Sequence, residues 1–62
     1  LNARRSIVLN SDIKSNSIIN EGMLTCKRPA TGISPIHWDK VIGRIVNKKL
    51  KADHILTWKD LE

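Results

Sequence analysis

The stretches VLNSDIKSNSIINEGMLT (8–25) and IVNKKLKADHILTWKDLE (45–62) decide how this chain is read, because one lies over the other without a gap. A shift of 37 positions sets Val8, Leu9, Asn10, Ile13, Lys14, Ile18, Ile19 and Leu24 opposite Ile45, Val46, Asn47, Leu50, Lys51, Ile55, Leu56 and Leu61. Each copy predicts a short β-branched strand, a polar turn (Ser15-Asn16-Ser17 or Ala52-Asp53-His54), a second apolar pair and then a helical turn. Asn20 and Thr57 are expected to cap those turns, Thr57 together with Asp60 in a capping box where Asp replaces the usual Glu. Ile19 with Leu24, and Leu56 with Leu61, fit hydrophobic staples across the same turns. Two copies of one unit imply a pseudo-twofold core.

The segment between the copies has a different character. Ser34 is an N-cap, Pro35 suits the first helical position, Ile33 and Trp38 are spaced as a staple, and Gly43 is a stop, which predicts a helix over 35–42 of about two turns. Ile36, Val41 and Ile42 are expected to face the core. Before it, Lys27-Arg28-Pro29-Ala30-Thr31-Gly32 has Pro and Gly bracketing small residues, the pattern of an ordered surface loop, and it presents Arg28 on a stiff mount. A helix-turn-helix over 35–50 fails, because the recognition segment would be the β-branched Arg44-Ile45-Val46 directly after Gly43. Trp38 and Trp58 each adjoin a capped turn and are expected to be core or half-buried rather than platforms for bases. The sum is a mostly β fold with short helices, in one domain spanning residues 1–62.

Size and composition narrow the function. A chain of 62 residues supports one small core and no large enzyme cleft. The longest apolar run, Ile7-Val8-Leu9, is far below the roughly 18 residues of a bilayer span. The chain starts at Leu1 rather than Met and reads as a piece of a longer polypeptide, so catalytic groups are expected outside it. The formal charge of +5 suits an anionic partner, but the basic residues never run longer than two and acids are interleaved, so a solvated surface is expected rather than nucleic-acid binding. Cys26 is alone, which excludes an internal disulfide and favours a reducing, cytoplasmic setting. It is read as a semi-buried strand residue rather than a nucleophile. His37 and His54 have no second Cys or His at ligand spacing, so no metal site is expected in this chain.

The strings RRSIVLNSDIK (4–14), KRPATGISP (27–35), WDKVIG (38–43) and LTWKDLE (56–62) resemble the C-terminal antifreeze-like, or SAF, domain of bacterial sialic acid synthases, the N-acetylneuraminate synthase family. The resemblance covers nearly the whole chain. KRP followed by TGISP is shared with synthases of legionaminic and similar nonulosonic acids, whereas the flanking strand pattern is common to SAF domains generally.

The resemblance implies a β-clip fold like that of type III antifreeze proteins. It implies a full-length enzyme whose N-terminal TIM barrel, absent from this chain, condenses phosphoenolpyruvate with N-acetylmannosamine to N-acetylneuraminate and phosphate, aided by a divalent cation, manganese or magnesium, in that barrel. It also implies a domain-swapped homodimer in which this non-catalytic domain covers the barrel of the partner subunit. There the Arg of KRP, here Arg28, reaches the amino sugar, with Thr31 and Gly32 beside it at the rim. Ala30 stands where many relatives have Gly, so a positive φ at that position would require the loop to be reshaped. The rival readings are a legionaminate-type synthase domain, a stand-alone SAF or ice-binding module, and an SAF module of a sugar-acid dehydratase or of a flagellar or pilus assembly factor.

Overall fold

The structure, a computed structural model, describes residues 4–62. Two strands, β1 (Ser6–Leu9) and β2 (Leu24–Lys27), pair antiparallel with Ser6 opposite Lys27, Ile7 opposite Cys26, Val8 opposite Thr25 and Leu9 opposite Leu24. β1 is buried along its whole length, because it is covered on both faces and bonded on both edges. On the edge away from β2, Leu56 N–H donates to the Ile7 carbonyl (3.0 Å) and Leu9 N–H to the His54 carbonyl (3.1 Å). The β-branched pair Ile7-Val8 suits this central position, where stiff side chains pack from both sides.

The rest of the β structure consists of single bridges, Val8 with Ile55, Ile13 with Leu50, Ile18 with Ile45 and Val46 with Leu61. Polar turns interrupt each extended piece after two or three residues, so ladders do not lengthen. The core is built from Ile7, Leu9, Ile13, Ile19, Leu24, Ile33, Val41, Val46, Leu50, Leu56 and Leu61, with Met23, Trp38 and Ile42 packed against it. Both expected staples, Ile19 with Leu24 and Leu56 with Leu61, are buried within that cluster.

Backbone bonds recur at the same 37-residue shift. Ile13 and Leu50 exchange their N–H···O=C bonds (2.9 and 3.0 Å), and Asn16 N–H to Val46 O (2.9 Å) matches Asp53 N–H to Leu9 O (2.8 Å). The side-chain amide of Asn10 donates to the Gly22 carbonyl (2.9 Å) and that of Asn47 to the Lys59 carbonyl (2.7 Å). Asn16 and Asp53, the turn residues of the two copies, both take φ of 69°. Asn and Asp enter this left-handed region more readily than other side chains. Single 3₁₀ turns follow at Glu21–Met23 and Trp58–Asp60.

The caps differ between the copies. Asn20 makes no capping hydrogen bond through its side chain, contrary to expectation. At Thr57 the Asp60 carboxylate accepts from the Thr57 N–H (3.0 Å), the Thr57 hydroxyl (3.1 Å) and His54 Nε2 (2.8 Å), with Lys48 Nζ 3.7 Å from its other oxygen. Burial pushes the Asp60 pKa up, but the hydrogen bonds from His54 and from the Thr57 amide and hydroxyl outweigh it and hold the carboxyl below its usual range.

Between the halves, the Ser34 hydroxyl accepts from Ile36 N–H (3.3 Å) and Pro35 opens the helix, as expected. The helix is shorter and mixed: a 3₁₀ turn over Pro35–His37 runs into one α-turn, α1 (Trp38–Val41). Gly43 ends it at φ 88°, a conformation that favours glycine. Val41 is buried and Ile42 packs on the core, but Ile36 points out and is 76% exposed, which corrects the expected inward face. At about 100° per residue, Ile36 lies far around the helix from both Val41 and Ile42, so one stripe cannot hold all three. Trp38 is half-buried as expected. Trp58 is exposed, with the Arg44 guanidinium over its ring (5.9 Å) and His37 edge-on to it (5.7 Å).

Candidate functional site

The loop after β2 is held at four points. The Ser6 hydroxyl donates to the Pro29 carbonyl (2.6 Å) and accepts from the Gly32 N–H (2.9 Å). One residue on, Ile33 N–H donates to the Leu56 carbonyl (2.9 Å) and the Ile33 carbonyl accepts from Ile7 N–H (2.9 Å). Ser6 is fully buried and the Ile33 side chain is in the core, so the clamp is shielded from water. A shielded hydrogen bond is hard to replace by hydration, which keeps the loop in one shape.

Gly32 is fixed by close approach. A Cβ at this position would overlap the Leu56 carbonyl oxygen and an Ile55 methyl group. Neither neighbour is free to retreat, since that carbonyl already accepts from Ile33 N–H. Gly32 thus lets the returning chain lie against the 55–56 segment, and its amide is engaged by Ser6. Ala30 does not take a positive φ, so the substitution expected to reshape the loop sits in ordinary backbone here. The Arg28–Pro29 peptide bond is cis.

The loop presents Arg28, Pro29, Ala30 and Thr31 outward, all exposed, whereas Gly32 is half-buried. The ion pairs among the described residues are Lys27–Asp53, Lys48–Asp60 and His54–Asp60, and none uses Arg28. Its guanidinium therefore stands outside the domain's own packing. Lys27, next to it, is neutralised by Asp53 at 2.9 Å. Cys26 is a half-buried free thiol on β2. Among the described residues, no three His, Cys, Asp or Glu side chains are grouped as metal ligands. Among the described residues, no helix is long and apolar enough to cross a membrane. Ser6, which shapes the loop, had no local mark in the sequence, because its partners lie 23 and 26 residues away.

Comparison with known proteins agrees with this architecture. The family model described as "SAF domain" matches residues 4–62. The chain belongs to the SAF domain family. This SAF domain is 43% identical over 53 residues, 86% of its length, to N,N'-diacetyllegionaminic acid synthase of Campylobacter jejuni, of which it spans 16%. It is 32% identical over 59 residues to an uncharacterized protein of Methanocaldococcus jannaschii, covering 95% of this chain and 18% of that one. The SAF domain thus spans under a fifth of the length of these relatives. Its fold is that of the antifreeze protein-like domain of human N-acetylneuraminic acid phosphate synthase, with a TM-score of 0.91 at 21% identity over 100% of this chain and 80% of that one.

Proposed function

We propose that this SAF domain caps the amino-sugar site of a nonulosonic acid synthase, delivering Arg28 to the barrel of a partner subunit while the barrel carries out the condensation with phosphoenolpyruvate. The observation that carries the reading is an exposed guanidinium, without an ion-pair partner among the described residues, on a loop whose base is pinned by buried hydrogen bonds. Guanidinium is planar, permanently charged and forked, so it donates to the carbonyl of an N-acetyl group or to a sugar hydroxyl in a defined direction. A pre-shaped loop loses little freedom on docking, and orienting two small reactants is where a condensation gains most of its rate. Thr31 stands exposed at the rim, and Gly32 serves by shaping the return of the loop.

N-acetylmannosamine is the first substrate assigned. The 43% identity to N,N'-diacetyllegionaminic acid synthase favours a second reading, in which the sugar is a diacetamido relative. The test is steady-state kinetics of the polypeptide that carries this domain, with both sugars. Arg28→Ala is expected to raise the KM of the preferred sugar, or lower its kcat/KM, by at least about tenfold, roughly 1.4 kcal/mol. Arg28→Lys should recover part of the loss, since it keeps the charge and loses the fork. Kinetics unchanged in Arg28→Ala would remove the assignment.

A further inference from the structure

Ser6 fixes the chain on both sides of Arg28. In the ladder it stands opposite Lys27, the residue before Arg28, and its hydroxyl donates to the carbonyl of Pro29, the residue after it (2.6 Å). A chain anchored at two flanking positions leaves the backbone of the residue between them little room to turn. Strand pairing supplies the first anchor, and only the hydroxyl supplies the second.

The same oxygen sets the width of the loop. In a closed β-turn the carbonyl of the first residue accepts from the amide of the fourth. Across Pro29-Ala30-Thr31-Gly32 those two groups bond instead to Ser6 Oγ, the carbonyl at 2.6 Å and the amide at 2.9 Å, so the segment is held open by one inserted oxygen. The position needs donor and acceptor in one small group, which a hydroxyl provides and a carboxylate or an ammonium does not. Ser6 is fully buried, so water does not compete for either bond. Arg28 itself is exposed. A buried group thus governs where an exposed one begins.

We infer that Ser6 is a positioning residue for Arg28: it touches no ligand and acts only through the mount of that guanidinium. The inference rests on the capping reading for what Arg28 meets, and it adds the residue that gives the delivery its direction. Misplacing a substrate-orienting group by about 1 Å is enough to cost up to about a hundredfold in rate, so loosening the mount has a kinetic consequence of its own.

The test is a double-mutant cycle on sugar kinetics in the polypeptide that carries this domain, joined to ¹⁵N relaxation of this chain. Ser6→Ala is expected to lower kcat/KM for the preferred sugar by at least about threefold where Arg28 is present, and by less than about 1.5-fold in the Arg28→Ala background, where nothing remains to be positioned. Two losses that multiply would show that Ser6 acts through general stability or through another group, and would overturn the inference. By relaxation, the backbone order parameter of Arg28 should fall from about 0.85 toward about 0.6 in Ser6→Ala while that of Cys26 stays put. An Arg28 amide as ordered in the variant as in the parent chain also overturns it. Ser6→Cys serves where Ser6→Ala does not fold: the thiol nearly keeps the buried volume but bonds weakly, so it should reproduce both effects. The two arms fail separately. If Arg28→Ala leaves the sugar kinetics unchanged, the capping reading falls, and relaxation alone then decides whether Ser6 fixes the mount of Arg28.

Discussion

The Ser6 hydroxyl sits between the Pro29 carbonyl, to which it donates at 2.6 Å, and the Gly32 amide, from which it accepts at 2.9 Å. One buried oxygen thus closes the loop that carries Arg28. Ser6→Ala removes both bonds and leaves a carbonyl and an N–H to find water in a site that excludes it. A loss of about 1–3 kcal/mol is expected, which for a domain of this size lowers Tm by roughly 4–8 °C per kcal/mol. Thermal unfolding of the variant checks it, and an unchanged Tm would show that the loop is held by Ile33 alone. Amide exchange should quicken at Gly32 before it does at Ile33, whose bond to Leu56 remains.

Gly32 and Gly43 are glycines for different physical reasons, and substitution separates them. At Gly32 the obstacle is space, so Gly32→Ala pushes against the Leu56 carbonyl and should cost about 1–3 kcal/mol with displacement of the loop. At Gly43 nothing lies within 4 Å of the added Cβ, and the obstacle is the φ of 88°. Gly43→Ala should cost about 1–2 kcal/mol without moving the loop. Gly43→Asn should recover part of that, because Asn tolerates the left-handed region, whereas Gly32→Asn should be worse than Gly32→Ala. Denaturant midpoints of the four variants decide this, and rescue by Asn at position 32 would would contradict the spatial account.

Much of the fold was legible because its signals are local. The apolar spacing shared by 8–25 and 45–62 marks residues that do reach the core: Leu9, Ile13, Ile19 and Leu24 in one copy, Val46, Leu50, Leu56 and Leu61 in the other. Ser34 and Pro35 mark a helix start, and Gly43 its end, within a few residues of each other. Ile36 misled because a two-turn helix with one apolar face was expected, and the chain instead forms a 3₁₀ turn followed by a single α-turn. Asn20 has a cap's chemistry but its side chain makes no capping bond, and Met23 stands where the second copy has Asp60. At the site, Arg28 was legible from its motif and from the Pro beside it. Ser6 was not: a serine in an apolar strand carries no sign of which distant carbonyl it will meet.

Asp60 provides a pH signature confined to the second half. Its carboxyl is held below the usual range, so the folded state binds the proton later than the unfolded chain does. The stabilisation is therefore fully present above the unfolded carboxyl's pKa, about 3.9. It is lost as pH falls below that value through the lower folded pKa. Tm measured from pH 6 to pH 2 should decline most steeply below about pH 4. Asp60→Asn keeps the shape but removes the charge that the Thr57 amide, the Thr57 hydroxyl and His54 all address. It should cost about 1.5–3 kcal/mol at neutral pH and flatten the acid limb. His54→Gln separates the contributions: it removes the imidazole partner and leaves both Thr57 bonds, so part of the acid limb should persist. An acid limb of equal steepness in Asp60→Asn would place the titrating group elsewhere.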